Sequence, residues 1–426
     1  MKLEWIVEAT PVTGGNLIFQ EFDITKYNDL SGEFLTLTPE ERKQYKGIED
    51  YVKKKYGIEI NNAQKNYKRV MEEIDSNLAA ESYLGILPVD LYSEHDTVID
   101  LLASLENENY IKEIYKVKKT RVSSGLNSET AIKLADSIHQ GRCLLQSAQK
   151  SNMLSKPLID FYAASAYAYA AIVINSPLHK SLDSLKGSHG HTYNHIDGTI
   201  EFGGDVPSGT FIDLLASIYY AQIITKDICF KYITLPSIEF VQNHKICISL
   251  IALLSSVPEL QDQVSRIPNS QHIVHKMNIK CEVVNKNVSY VFEIGDGKSK
   301  PRYDVLKATF SNNSINDVNG KYLVTVPAED IAHISPTIYQ DIRGELYYVE
   351  PLIKELYMPE ICLHFLIISA LCNIMRYSPH EWNNIMTNKI SSDFSLLISK
   401  YLRLFELKYP MLLTQQFTNF LPIIIS

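Results

Sequence analysis

The chain is poor in the features that usually announce a function. Its 426 residues include six cysteines, Cys143, Cys229, Cys247, Cys281, Cys362 and Cys372, and no two of them form a CxxC pair. A disulfide framework or a zinc ribbon is therefore not expected. Cys247, Cys362 and Cys372 lie in apolar runs, where a cysteine serves as a small buried hydrophobe. Positive charge is not in excess: 41 Lys and Arg stand against 49 Asp and Glu, a net charge of −8. A broad nucleic-acid footprint needs a basic face, so it is not expected. Long hydrophobic runs are also missing. The most apolar segments, 246–257 and 361–375, fall short of the roughly 20 residues that span a bilayer. Glu4 and Glu8 interrupt any leader-like stretch near the start. The expected setting is a reducing cytoplasm, without membrane contact. GxxxxGK[ST], GxSxG, HExxH and a strand-borne GxGxxG do not occur, which argues against a P-loop NTPase and against the commonest hydrolase and dinucleotide folds.

What is present is a core-forming sequence, with 45% hydrophobic residues. Its periodicity changes along the chain. Leu17-Ile18-Phe19 reads as an edge strand. Thr38-Pro39-Glu40-Glu41 reads as a helix start, with Thr38 capping and the acids favouring the positive helix end. A charged stretch over 62–76 suggests a surface helix. Helical spacing of Ala131, Leu134, Ala135, Ile138, Leu145 and Ala148 predicts a long helix from Asn127 or Ser128 to about Gln149. Ser155-Lys156-Pro157 opens a second helix that ends near Pro177. Its run of alanines permits close backbone approach and marks it as central. Residues 178–209 read as a loop containing Gly and His, followed by helices over 211–225 and 242–256. From about 275 to 350 the period becomes two. Val288 to Ile294 and Tyr303 to Phe310 flank Asp296-Gly297 like the strands of a hairpin, and Asn319-Gly320 precedes another strand. From Pro359 the pattern is helical again: 361–375 is apolar all round and hence buried, and a helix from Ser392 is expected to end before Pro410. The expected fold is α+β, a mainly helical core with a small antiparallel β insertion. Its regions are 1–125 (N-terminal, mainly helical), 126–265 (helical core), 270–350 (β insertion) and 351–426 (C-terminal helices on the core).

A set of short motifs runs through this pattern. Lys156-Pro157-Leu158 with Phe161-Tyr162 is followed by Ser188-His189-Gly190 and by Gly209-Thr210-Phe211. His364 in its apolar helix leads to Arg376-Tyr377-x-Pro379-x-x-Trp382, Asp393-Phe394 and Lys408-Tyr409-Pro410. As an ordered set, over roughly 128–215 and 345–415, these resemble the YaaC-like protein family. The resemblance implies a fold and little chemistry. The family's character suggests a bacterial stress-response or phage-defence setting.

Six residues stand out as ligand-binding candidates: Lys156, Tyr162, His189, Gly190, His191 and Arg376. Lys156 precedes a proline at a helix N-terminus, where exposed amides attract anions. The segment Gly187 to Gly198 holds three histidines and Asp197. That composition admits a metal, a polar binding loop or an ordinary structured loop, but its spacing is no standard metal signature, and neither metal nor cofactor is expected. Arg376 ends a buried helix and needs a carboxylate, helix carbonyls or a ligand phosphate. Tyr377, Pro379 and Trp382 read as packing, and His364 as a satisfied core histidine. Lys298, Lys300 and Arg302 form the one local patch for nucleic acid. The favoured function is a non-enzymatic binding or regulatory protein with a protein partner or a second copy of itself; a small anionic ligand is a further candidate. The alternative is a hydrolase or nuclease using His189, His191 and Arg376; Arg376-x-x-x-His380 also invites comparison with the helical HEPN ribonucleases. The two diverge on whether His189 and Arg376 share one site.

Overall fold

The structure is a computed structural model. It describes residues 95–118, 125–176, 181–185, 187–204, 208–221, 232–234, 238–268, 270–284, 287–296, 299–311, 313–327, 337–418 and 420–425, with short stretches between 4 and 90. The chain forms two compact units, Met1–Ser76 and Asn77–Ser426. In the first, β1 (Glu4–Ile6), β2 (Thr10–Pro11), β3 (Leu17–Ile18) and β4 (Glu21–Asp23) make two antiparallel pairs, β1 with β4 and β2 with β3. The Thr38 amide donates to Glu41 Oε2 at 2.8 Å and the Glu41 amide to Thr38 Oγ1 at 3.4 Å. Thr38 thus caps as the sequence suggests, and Glu41 reciprocates to complete a capping box. The stretch 62–76 lies outside the described residues.

The second unit opens with β5 (Gly85–Asp90), α1 (His95–Ser104), α2 (Glu108–Lys118), α3 (Ser128–Lys150) and α4 (Lys156–Asn175). Its main apolar core runs from Leu102, Leu105 and Ile111 through α4 to Phe417. The expected boundary at 125 thus falls inside this unit. Both long helices form as read. Asn127 caps α3 by accepting from the Thr130 amide at 2.7 Å. The alanines of α4, Ala163, Ala164, Ala166, Ala168, Ala170 and Ala171, are all buried. Gly141 of α3 serves the same close packing: a Cβ there would stand 2.8 Å from the Tyr167 ring of α4.

The segment after α4 is more structured than a loop. β6 (His191–Asn194) and β7 (Thr199–Phe202) form a hairpin, followed by α5 (Thr210–Ser217), β8 (Tyr219–Ala221), β9 (Tyr232–Thr234), α6 (Ile238–Asn243), β10 (Ile246–Ser249) and α7 (Leu250–Ser255). β10 pairs with β7, so the sheet order is β10-β7-β6. The helix expected over 242–256 therefore begins as a strand. Ser249 then caps α7 by accepting from the Ala252 amide at 3.2 Å. The helix expected over 211–225 is likewise cut short, because Ile218 is extended and a strand follows. Short apolar runs of this kind do not separate helix from buried strand.

The insertion is a six-stranded antiparallel sheet: β11 (Val274–Val284), β12 (Asn287–Ile294), β13 (Ser314–Val318), β14 (Lys321–Pro327), β15 (Ile338–Gln340) and β16 (Leu346–Val349), in the order β13-β14-β12-β11-β16-β15. Strict alternation along β14 puts Tyr322, Val324 and Val326 into a separate small core. Asn319 and Gly320, both at positive φ, make the tight β13–β14 turn. One expectation fails here. Residues 303–310 are not a strand: Tyr303–Thr309 is a helix, with Leu306, Thr309 and Phe310 buried at helical spacing. The β-branched and aromatic residues that suggested a strand are covering the sheet, so packing overrides propensity. The true neighbours of β12 are β11 and β14.

Three C-terminal helices complete the core: α8 (Glu360–Tyr377), α9 (Pro379–Met386) and α10 (Ser392–Phe417), followed by β17 (Phe420–Ile425), which pairs in parallel with β5. α8 is buried nearly all round. α10 does not stop before Pro410 but runs through it to Phe417. A proline inside a helix costs about 3 kcal/mol; the buried Tyr409, Met411, Leu413 and Phe417 on either side of it offset that loss. α4 and α8 are long and apolar enough to cross a membrane by length and composition, but 78% and 72% of their apolar windows are buried within the molecule.

Charges inside this core come in sets. Lys156 donates to Ala148 O at 2.7 Å and is ion-paired with Glu406. Lys408 lies 2.7 Å from Glu259 and 2.5 Å from Glu360. Asp160 is different: it is fully buried, and neither carboxylate oxygen has a hydrogen-bond partner among the described residues. Burial first, and the Glu406 carboxylate second, raise its pKa to about 8 against the pull of Lys156. A carboxyl group raised in this way favours folding below its unfolded pKa of about 4 and loses that contribution as pH climbs through 8. Asp160→Asn, which needs no proton to be neutral, will therefore stabilise the protein by several kcal/mol, on the order of 5, at pH 8 and by only about 1 kcal/mol at pH 5. Urea denaturation at the two pH values measures this. An equal effect at both would show that Asp160 is not held protonated.

Candidate functional site

The loop leading into β6 is built by two glycines. Gly190 has φ 76° and Gly209 has φ 132°. A Cβ on Gly209 would lie 2.4 Å from the Gly190 nitrogen, so the two backbones touch. The Thr210 amide donates to Ser188 O and the Phe211 amide to His189 O, each at 2.9 Å. The first turn of α5 therefore holds the His-Gly loop, and its amides are not free for an anion. Two motifs far apart in sequence become one backbone clamp.

The turn at Gly190 sends its flanking histidines to opposite sides. His191 is buried. Its Nε2 is 2.6 Å from Ser369 Oγ on α8, and its Nδ1 is 3.0 Å from His189 O. Its ring lies edge-on to Phe211 and Phe365. Burial depresses its pKa to about 4, against the help of the His189 carbonyl. His191 is thus a neutral core residue near pH 7 and poorly placed to exchange protons with a substrate. His189 instead stays exposed, with its ring edge-on to Phe161 at 5.1 Å. Partial burial and the nearby Arg376 charge both push its pKa down.

Arg376 is exposed at the C-terminal end of α8 and lies over the Tyr377 ring at 4.9 Å. It also helps hold down the Cys372 thiol, which burial pushes up to about 11. Tyr377 is 61% exposed, not packed, and its ring meets His195. His195 Nδ1 lies 3.2 Å from Ser378 Oγ. Tyr162, 46% exposed, also has its ring against Phe161, at 6.1 Å. Tyr162, His189, Arg376, Tyr377 and His195 are therefore exposed residues strung together by ring and charge contacts, through the buried Phe161, across α4, the β6 loop and the α8–α9 junction. Sequence reasoning missed Tyr377 and His195. The signal was present in the Arg-Tyr pair at a helix end, where the chain leaves the core.

Other candidates take structural positions. Lys156 is buried with Glu406, so its ammonium is engaged and does not serve a surface anion. Trp382 is buried, donates from Nε1 to Leu154 O at 2.9 Å, and packs as read. Pro379 starts α9. His364 is buried against Tyr401, 3.3 Å from its hydroxyl, while its Nε2 has no hydrogen-bond partner among the described residues. His380 lies on α9, 3.0 Å from Asn384. Asp197 is tied to Asn194 at 3.0 Å. Among the described residues, no group of three or more His, Cys, Asp and Glu is placed to hold a metal. The basic patch is also internally paired: Lys300 lies 2.6 Å from Asp317, and Arg302 lies 2.7 Å from the buried Glu350. Lys298 lies outside the described residues.

A model of the YaaC-like protein family matches residues 101–417. The chain belongs to the YaaC-like family. No curated protein and no solved structure is significantly similar to it. The match joins the two stretches that carry the motifs and includes the β insertion between them. Within this YaaC-like chain most motif residues hold the fold together. Gly190 clamps Gly209, Trp382 ties down the α3–α4 turn, and Lys408 binds two carboxylates. Tyr162, Ser188, His189, Arg376, Tyr377 and Pro379 are exposed members of the set.

Proposed function

We propose that this YaaC-like protein acts by binding and not by catalysis. It engages a protein partner through the face made by Tyr162, His189, Arg376, Tyr377 and His195. The observation that carries the reading is the partition of the two histidines: His191 is sealed in the core, and His189 is exposed near Arg376, which itself lies over the exposed Tyr377. Exposed Tyr and Arg on a rigid scaffold are the residue types that anchor protein interfaces. Arg376 carries the formal charge of this face, so the partner presents a carboxylate to it. The reading sets the protein in the cytoplasm, in bacterial stress response or phage defence, a setting that rests on the character of the family.

The test is affinity purification from the native host followed by native mass spectrometry. Wild type brings down a partner at fixed stoichiometry. The double variant Tyr162→Ala/Arg376→Glu loses it with unchanged thermal stability, because both side chains are exposed. A partner retained by the double variant would sink this reading. A second reading, a nuclease or other hydrolase, draws on the proximity of Arg376 to His189. It requires RNA or DNA cleavage that disappears in both His189→Ala and Arg376→Ala.

A further inference from the structure

Away from that face, α3 and the α1–α2 turn bring a nucleophile, a base and an acid into line. His139 and Cys143 are one helical turn apart on α3 and share a face. Cys143 Sγ lies 3.6 Å from His139 Nε2. His139 Nδ1 lies 2.6 Å from Glu106 Oε2. Arg142 donates from Nη2 to the same oxygen at 3.0 Å and from Nε to Glu106 Oε1. Burial works against the Glu106 charge, but Arg142 and His139 outweigh it and keep the carboxylate ionised. Arg142 Nη2 also lies 3.3 Å from His139 Nδ1, but an ionised carboxylate only 2.6 Å from Nδ1 requires a proton there, which leaves the Nε2 lone pair facing the thiol. The imidazole is thus held in the tautomer that can take the Cys143 proton.

The rest of the chain supplies a contrast. Cys143 is exposed beside an imidazole and near the Arg142 guanidinium. Cys247 is also exposed, but it sits beside the Glu201 carboxylate. Cys143 thus has a base in reach of its thiol, and Cys247 has a carboxylate beside it. Cys362 and Cys372 are buried, and burial pushes their thiols up. Cys143 lies on an exposed helix face, which suits a small, flexible co-substrate that brings its own leaving group.

We propose that Cys143 is a thiol–disulfide exchange site for low-molecular-weight disulfides, with His139 accepting the thiol proton and Glu106 positioning His139. The Cys143 thiol proton passes to His139 Nε2. The thiolate attacks one sulfur of the small disulfide; a new S–S bond to Cys143 forms as the old S–S bond breaks. The departing thiolate takes the proton back from the imidazolium. Cys143 sulfur is oxidised and the departing sulfur reduced, so no other oxidant is needed. The protein would then carry a reversible mixed disulfide that reports the redox state around it.

The test treats the full chain with oxidised glutathione at neutral pH and maps adducts by peptide mass spectrometry at timed quenches. Cys143 forms its adduct about ten-fold faster than Cys247. His139→Ala brings Cys143 down to the Cys247 rate, and added imidazole restores part of the difference. Glu106→Gln slows the reaction less than His139→Ala does, as befits a positioning residue. His139 and Cys143 are exposed, so these variants leave the fold intact, and Cys247 serves as an internal control in every sample. A Cys143 rate no greater than that of Cys247, or one unchanged by His139→Ala, would overturn the proposal.

Discussion

Lys408→Met will remove about 3–5 kcal/mol of stability near neutral pH. Lys408 is almost wholly buried on α10, between Glu259 and Glu360. Burial alone would push its pKa down, but the two carboxylates outweigh burial and hold the ammonium charged. Burial raises the pKa of Glu360 to about 7, Lys408 opposes that shift, and Glu259 adds to it. Methionine fills similar volume but leaves two carboxylates buried without their cation. Without the ammonium, the raised Glu360 carboxyl shifts further upward and must take up a proton to stay inside. A raised carboxyl pKa stabilises the fold below its unfolded value and loses that contribution as pH rises through the folded value. The deficit of the variant therefore grows from pH 5 to pH 8. Urea denaturation across that range measures it. A deficit under about 1 kcal/mol, or one independent of pH, contradicts this picture of the triad.

Gly209→Ala will cost about 3 kcal/mol or more, by a separate route. At φ 132° an L-residue is strained, which is worth about 1–3 kcal/mol. The new methyl would also sit 2.4 Å from Gly190 N and 2.6 Å from Ser188 Oγ. Overpacking of that kind adds about 1–3 kcal/mol, and here a backbone atom must yield. The loop that sends His189 outward and His191 inward should loosen with it, so partner binding falls as well. Gly187→Ala is the control. Nothing lies within 4 Å of a Cβ there, and the change should stay within about 0.5 kcal/mol. Comparable stabilities for the two variants would mean that the Gly190–Gly209 contact does not hold the loop.

Much of the helical core was legible because its signals are local. The alanine run of α4 and the all-apolar α8 admit few other readings, and Asn127 announces its helix by capping it. The errors cluster where local and tertiary demands differ. Tyr303 to Phe310 carries strand-forming residues but packs as a helix over the sheet. Pro410 looks like a stop but lies inside a helix buried on both sides of it. The site was half legible. The His-Gly loop and Arg376 stood out by composition and position. Which histidine faces solvent did not, because the positive φ of Gly190 decides it. The alignment of Cys143, His139 and Glu106 was also hidden: the His-x-x-x-Cys spacing is visible in the sequence, but Glu106 comes from 33 residues away.

The central claim is that the exposed tyrosine, histidine and arginine face receives a partner. Hydrogen–deuterium exchange on the complex purified from the host measures this most directly. The account predicts that the partner slows exchange at 188–195 and 373–380, at the edges of the face, while strands β13 and β14 exchange as they do in the free protein. Protection confined to the β insertion, or no complex at all, would contradict it.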